Sequence, residues 1–155
     1  MKKLTKTLFA LMLACVALFT VSACTSEKIF EVEGLMVCLD TTFEVVEGPN
    51  TVNIVSDHIQ FVAIKEVYDI LSEEVNQFAG SSEYADAIIA QNGYKAVPKV
   101  VNGTAHFEFV DDNYYNYFVI LRSTDAFWTC QFRCALSEKD KYASKISEWA
   151  AMIIA

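Results

Sequence analysis

Proline and glycine are scarce in this 155-residue chain, at two and five residues. That excludes Pro/Gly-rich linkers and low-complexity segments, and no internal repeat is visible. Histidine is scarcer still for chemistry, with only His58 and His106. A Ser-His-Asp or Cys-His site must use one of these two, and no local sequence around either supplies a nucleophile elbow or an oxyanion hole. Basic residues are few, 12 against 20 acidic. An acidic surface is repelled by nucleic acid and by anionic headgroups, so neither is an expected partner. No phosphate loop, dinucleotide fingerprint, paired-carboxylate spacing or metal-ligand spacing is present, so no catalytic residue, cofactor or metal is expected.

What is present begins at the N-terminus. Lys2, Lys3 and Lys6 precede an uninterrupted apolar run, Leu8–Val21, which is too short to span a bilayer as a helix but fits the core of an export signal. Val21-Ser22-Ala23-Cys24 follows, then polar Thr25-Ser26-Glu27-Lys28. This arrangement resembles a lipobox, the recognition sequence of the bacterial lipoprotein signal peptidase. The resemblance implies cleavage after Ala23 and acylation of the Cys24 sulfur. Two or more acyl chains anchor a protein stably where one is marginal. The expected organisation is a signal peptide over 1–23, a lipidated Cys24 with a short tether over 24–28, and one domain over 29–155. Losing the three lysines leaves nine basic residues against 20 acidic, so attachment comes from the lipid and not from a basic patch. The expected location is the extracytoplasmic face of the cell membrane or the outer membrane.

The remaining 132 residues are enough for one compact domain. Ile29–Leu39 reads as an extended segment bent at Gly34. Asp40-Thr41-Thr42-Phe43 reads as a loop and Glu47-Gly48-Pro49-Asn50 as a turn cluster. Thr51–Val55 and Ile59–Val67 read as a hairpin around Ser56-Asp57-His58. Ser72–Asn92 is helical by composition, with its two apolar stripes offset and a break expected at Gly80-Ser81-Ser82. Asn92-Gly93 is a stop signal.

Ala96–Leu136 reads as an antiparallel meander. Asn102-Gly103 is its strongest turn, because a type I′ turn needs positive φ at both central residues. Asp111-Asp112-Asn113 and Ser123-Thr124-Asp125 are the next two. Alternation puts Tyr115, Tyr117, Val119 and Leu121 on one strand face, and Trp128, Cys130, Phe132 and Cys134 on another. His106, Glu108, Asn116, Arg122, Thr129, Gln131 and Arg133 are expected on a mixed face opposite an apolar one. Ser137-Glu138-Lys139-Asp140 reads as a capping box, followed by an amphipathic helix through Tyr142, Ile146, Trp149 and Ile153.

The order of strand, loop, two strands, helix, meander and closing helix is similar to the Mog1/PsbP-like α/β sandwich, including small bacterial lipoproteins related to PsbP and DcrB. The stretches that carry the resemblance are Met36–Phe43, Glu83–Gly93, Tyr114–Cys134 and Tyr142–Ile154. Asp40-Thr41-Thr42 stands where the family has a Pro- and Gly-containing loop. The resemblance implies an α+β fold, an antiparallel sheet packed with helices, and a non-enzymatic binding or assembly role with an envelope protein as partner.

Among side chains with chemistry, His106, Glu108 and Tyr114 form the candidate ligand site, a pocket on the mixed sheet face. Cys38, Cys130 and Cys134 are an odd set, a poor disulfide framework. Cys130 and Cys134 sit four apart on one strand, roughly 13 Å, too far to bridge each other. They read as buried core thiols. A Cys38 bridge to one of them is the sharper alternative, which export permits. The Asp111 cluster reads as a solvated turn, because a calcium loop needs alternating oxygens and a glycine bend.

Overall fold

The computed structural model describes residues 27–46, 51–68 and 78–155. The expected signal, Cys24, the Glu47–Asn50 turn cluster and the first part of the expected 72–92 helix lie outside these residues.

The chain enters through β1 (Glu27–Val32) and β2 (Leu35–Asp40), an antiparallel pair. The expected single bent strand is therefore a hairpin. Glu33 and Gly34 both take positive φ, 51° and 90°, which a two-residue turn between right-twisted strands requires. Of the expected tether over 24–28, Glu27 and Lys28 are described, and they pair with Asp40 and Leu39 in this hairpin.

A seven-stranded sheet follows: β3 (Glu44–Val46), β4 (Val52–Val55), β5 (Ile59–Val67), β6 (Lys99–Val101), β7 (Thr104–Val110), β8 (Tyr114–Arg122) and β9 (Ala126–Ala135). Their spatial order is β3-β4-β5-β9-β8-β7-β6, antiparallel throughout. The hairpins around Ser56-Asp57-His58, Asn102-Gly103, Asp111-Asp112-Asn113 and Ser123-Thr124-Asp125 lie where the turn residues place them.

Among the described residues, two helices cover opposite faces. α1 (Ser81–Asn92) starts after an extended Gly80, whose N–H donates to the Glu83 carboxylate at 2.8 Å. It stops at Gly93, in the left-handed region at φ 67°. The break expected near Gly80 is thus the start of α1. Its Tyr84 and Ala85 pack on Ala105, Phe107, Phe118, Ile120 and Phe127. Tyr84 stacks on Phe127, ring centroids 4.3 Å apart, and gives its hydroxyl proton to Glu66.

α2 (Lys139–Ala150) follows a short 3-10 turn over Leu136–Glu138. Ser137 is inside that turn and Glu138 stands at the cap, so the expected Ser137 capping box does not form. α2 and the β1–β2 hairpin share the other sheet face. Ile146 and Trp149 meet Phe30, Val37, Leu39, Phe61, Val119, Cys130 and Phe132 there. Burying each such Leu, Ile or Phe contributes roughly 1.5–3 kcal/mol, so this cluster is the main apolar driving force. Trp149 is its anchor, edge-on to Phe43 at 5.3 Å.

Both sheet faces are therefore apolar at their centres, which corrects the expected division into one apolar and one mixed face. Register decides it. Phe107 lies opposite Phe118, while His106 lies opposite Val119 and Glu108 opposite Tyr117. The two polar side chains share the α2 face with Tyr115 and Tyr117; Phe107 and Phe109 share the α1 face with Asn116 and Gln131.

Candidate functional site

The β6–β7 hairpin forms one edge of the sheet, and its Asn102-Gly103 turn has φ of 52° and 84°. From it, alternation along β7 sends His106 and Glu108 toward α2. A cavity of about 300 Å³ lies between this edge and α2, lined by Lys99, His106, Glu108, Tyr117, Ala143 and Ser147 among others.

His106 is half-buried, and desolvation holds its pKa below the ordinary 6.5, so the ring is neutral at pH 7. Its neighbours fix the tautomer. Thr104 Oγ1 donates to the Val101 carbonyl at 2.7 Å, so it receives a proton from His106 Nε2, also at 2.7 Å. Nδ1 is then the acceptor for the Tyr117 hydroxyl, 3.2 Å away. The chain of donation runs from Tyr117 through His106 and Thr104 to the backbone. Both ring nitrogens are occupied, so the imidazole orients its neighbours and has no free lone pair for a proton on a bound molecule.

Glu108 accepts the hydroxyl proton of the buried Tyr115. Burial and this carboxylate raise the Tyr115 pKa far above its usual value, so the phenol stays protonated. Lys139 lies over the Tyr115 ring, 5.0 Å from its centroid.

Tyr114 is not part of this pocket. Successive side chains on β8 alternate, and Tyr114 belongs to the face of Asn116 and Phe118. It is 39% exposed, and the Arg133 guanidinium lies 3.6 Å from its ring centroid. The expected trio is thus split, His106 and Glu108 on one face and Tyr114 on the other. Tyr117, read from sequence as core, is the partner His106 uses.

The other candidates have structural places. His58 meets Glu138 at 2.9 Å and stacks on Tyr142, holding the β4–β5 turn to the start of α2. Cys38, Cys130 and Cys134 are free thiols, so the alternative of a Cys38 bridge is not the arrangement present. Cys38 donates to the Glu27 carboxylate at 3.4 Å. Burial raises the pKa of both Cys130 and Cys134, which makes them poor nucleophiles. Asp111 accepts N–H groups from Asn113 and Tyr114, at 3.1 and 2.8 Å, as an Asx turn does. These bonds hold its carboxyl below the usual range. Among the described residues no group of three or more His, Cys, Asp or Glu side chains is placed to hold a metal.

No family model matches the chain, and no curated protein matches it in sequence. Among solved structures it is similar to the solution structure of cyanobacterial PsbP (CyanoP) from Synechocystis sp. PCC 6803, with a TM-score of 0.58 at 12% identity. The match covers 87% of this chain and 95% of that one. At such identity the likeness shows the fold alone: a PsbP-like α+β architecture, as the order of elements implied.

Proposed function

We propose that this chain is an exported lipoprotein, anchored through Cys24 on the extracytoplasmic face of a cell membrane or outer membrane, whose PsbP-like body binds or assembles with an envelope protein without catalysing a reaction. One observation carries the reading: the Leu8–Val21 apolar run ends in Val21-Ser22-Ala23-Cys24 with lysines before it. The position of β1 supports it. β1 opens at Glu27, three residues after Cys24, a span of at most about 11 Å. A body on so short a leash works at the membrane surface. The occupied ring nitrogens of His106 favour binding over catalysis.

Radiolabelled palmitate and membrane fractionation test the anchor. The wild-type chain is expected to take up label and to pellet with membranes, and Cys24→Ala to lose the label and leave the membrane fraction. Retention of Cys24→Ala at the wild-type level, or an intact unacylated N-terminus by mass spectrometry, sinks the proposal. The cavity of about 300 Å³ beside His106 favours a second reading, a small-ligand-binding protein or enzyme that uses that pocket.

A further inference from the structure

On the sheet face opposite His106, an open groove of about 490 Å³ lies between the Gly93–Lys95 segment after α1 and strands β7, β8 and β9. Tyr94 and Phe109 make its apolar wall, their rings stacked with centroids 4.2 Å apart. Asn116, Gln131 and Arg133 make its polar side, and the exposed Lys95 adds a second cation. Gln131 donates to the Asn116 carbonyl at 2.9 Å, which ties the two amides together.

Arg133 is oriented by stacking and, among the described residues, holds only a long ion pair with Asp111. Stacking on Tyr114 sets the plane of the guanidinium. Asp111 is 3.9 Å from one Nη, beyond hydrogen-bonding distance. The Asp111 carboxylate serves Asn113, Tyr114 and Asn116 instead. The Nε–H of Arg133 is buried with no acceptor among the described residues. The Nε edge is closed to solvent while the side chain as a whole is 38% exposed, so an incoming pair of oxygens meets the guanidinium at its outer Nη donors.

We propose that this groove binds a carboxylate carried on a flat apolar body, with the carboxylate on Arg133 and the body against Tyr94 and Phe109. The charge of the protein selects within the oxyanions. The chain is at −8, and Asp111 lines the groove, so a monoanion is repelled less than a dianionic phosphate. The site is independent of the membrane reading.

Benzoate, acetate and inorganic phosphate are the probes, titrated into the full isotopically labelled chain in detergent micelles. The side-chain N–H signals of Arg133, Asn116 and Gln131 report binding. Benzoate is expected to give saturable shifts, with acetate about tenfold weaker and phosphate weaker than either. Arg133→Lys keeps the charge, loses the fork and weakens benzoate by at least about tenfold. Tyr94→Leu, outside the sheet, weakens benzoate but leaves acetate unchanged; backbone amide spectra confirm that each variant is folded. Failure of benzoate to saturate overturns the proposal. So does phosphate binding as tightly as benzoate, or undiminished benzoate binding in both folded variants.

Discussion

At the scale of single residues, His106 shows how hydrogen bonding and burial act together. The ring donates through Nε2 and accepts through Nδ1, so a second proton on Nδ1 breaks the bond from Tyr117 and charges a half-buried ring. Both effects oppose protonation, in keeping with a folded pKa below 6.5. The sign for stability follows from linkage. Below 6.5 the unfolded chain binds a proton that the folded chain refuses, so this contribution is fully present above 6.5 and is lost as pH falls through the folded value. Unfolding titrated by pH should therefore show stability falling below 6.5, with the His106 share removed in His106→Gln. A His106 resonance that titrates at or above 6.5 defeats this account. Glu108 beside His106 was legible from sequence, because period-two alternation links residues of one strand. Tyr114 was misplaced because its face depends on the β7–β8 register, which spacing along one strand does not contain.

At the scale of elements, two hairpins share one turn conformation with different residues. Asn102-Gly103 and Glu33-Gly34 both place two successive residues at positive φ. Asparagine tolerates that region and glutamate does not, which is why the first turn was readable and the second passed for a bend. The left-handed region costs an ordinary residue roughly 1–2 kcal/mol. Glu33→Asn should therefore raise the stability of the chain by up to about 1 kcal/mol, read as a higher denaturant midpoint at constant slope. Gly34→Ala, at φ 90° with open space around its Cβ, should lower the midpoint through backbone strain alone. An unchanged midpoint in both variants contradicts the strain argument. The start of α2 was misread for a related reason. Ser137 has the composition of a cap, but the chain leaves β9 directly into a 3-10 turn, and the helix begins two residues later at Lys139.

At the scale of the molecule, what was legible were neighbours in sequence: the meander, its turns and the amphipathic closing helix. The pairing of β5 with β9, which joins residues 59–67 to 126–135 at the centre of the sheet, carries no local signal. Neither does the placement of α1 and α2 on opposite faces, which depends on which apolar stripe each sheet face leaves uncovered. The same architecture sets a hierarchy of stability. Strands β5, β8 and β9 are each hydrogen-bonded on both sides, whereas the β1–β2 hairpin is a separate sheet. Among the described residues its backbone meets the rest where the Phe43 N–H donates to the Asp40 carbonyl at 3.2 Å, next to the chain exit, and where Met36 and Ile154 exchange two hydrogen bonds, of 2.8 and 3.0 Å. Phe30, Leu35, Val37 and Leu39 then hold it by burial, assisted by the 3.1 Å ion pair of Lys145 with Glu27. Segments with few backbone links open at lower free energy than the global transition. Native-state hydrogen exchange should find the β1–β2 amides opening before those of β5, β8 and β9. Ile154→Pro removes the N–H given to Met36 and should speed exchange in β2 while leaving β8 and β9 unchanged. Equal protection of the hairpin and the central strands, in both proteins, means that burial alone welds the hairpin to the body and that the bridge at Met36 contributes little.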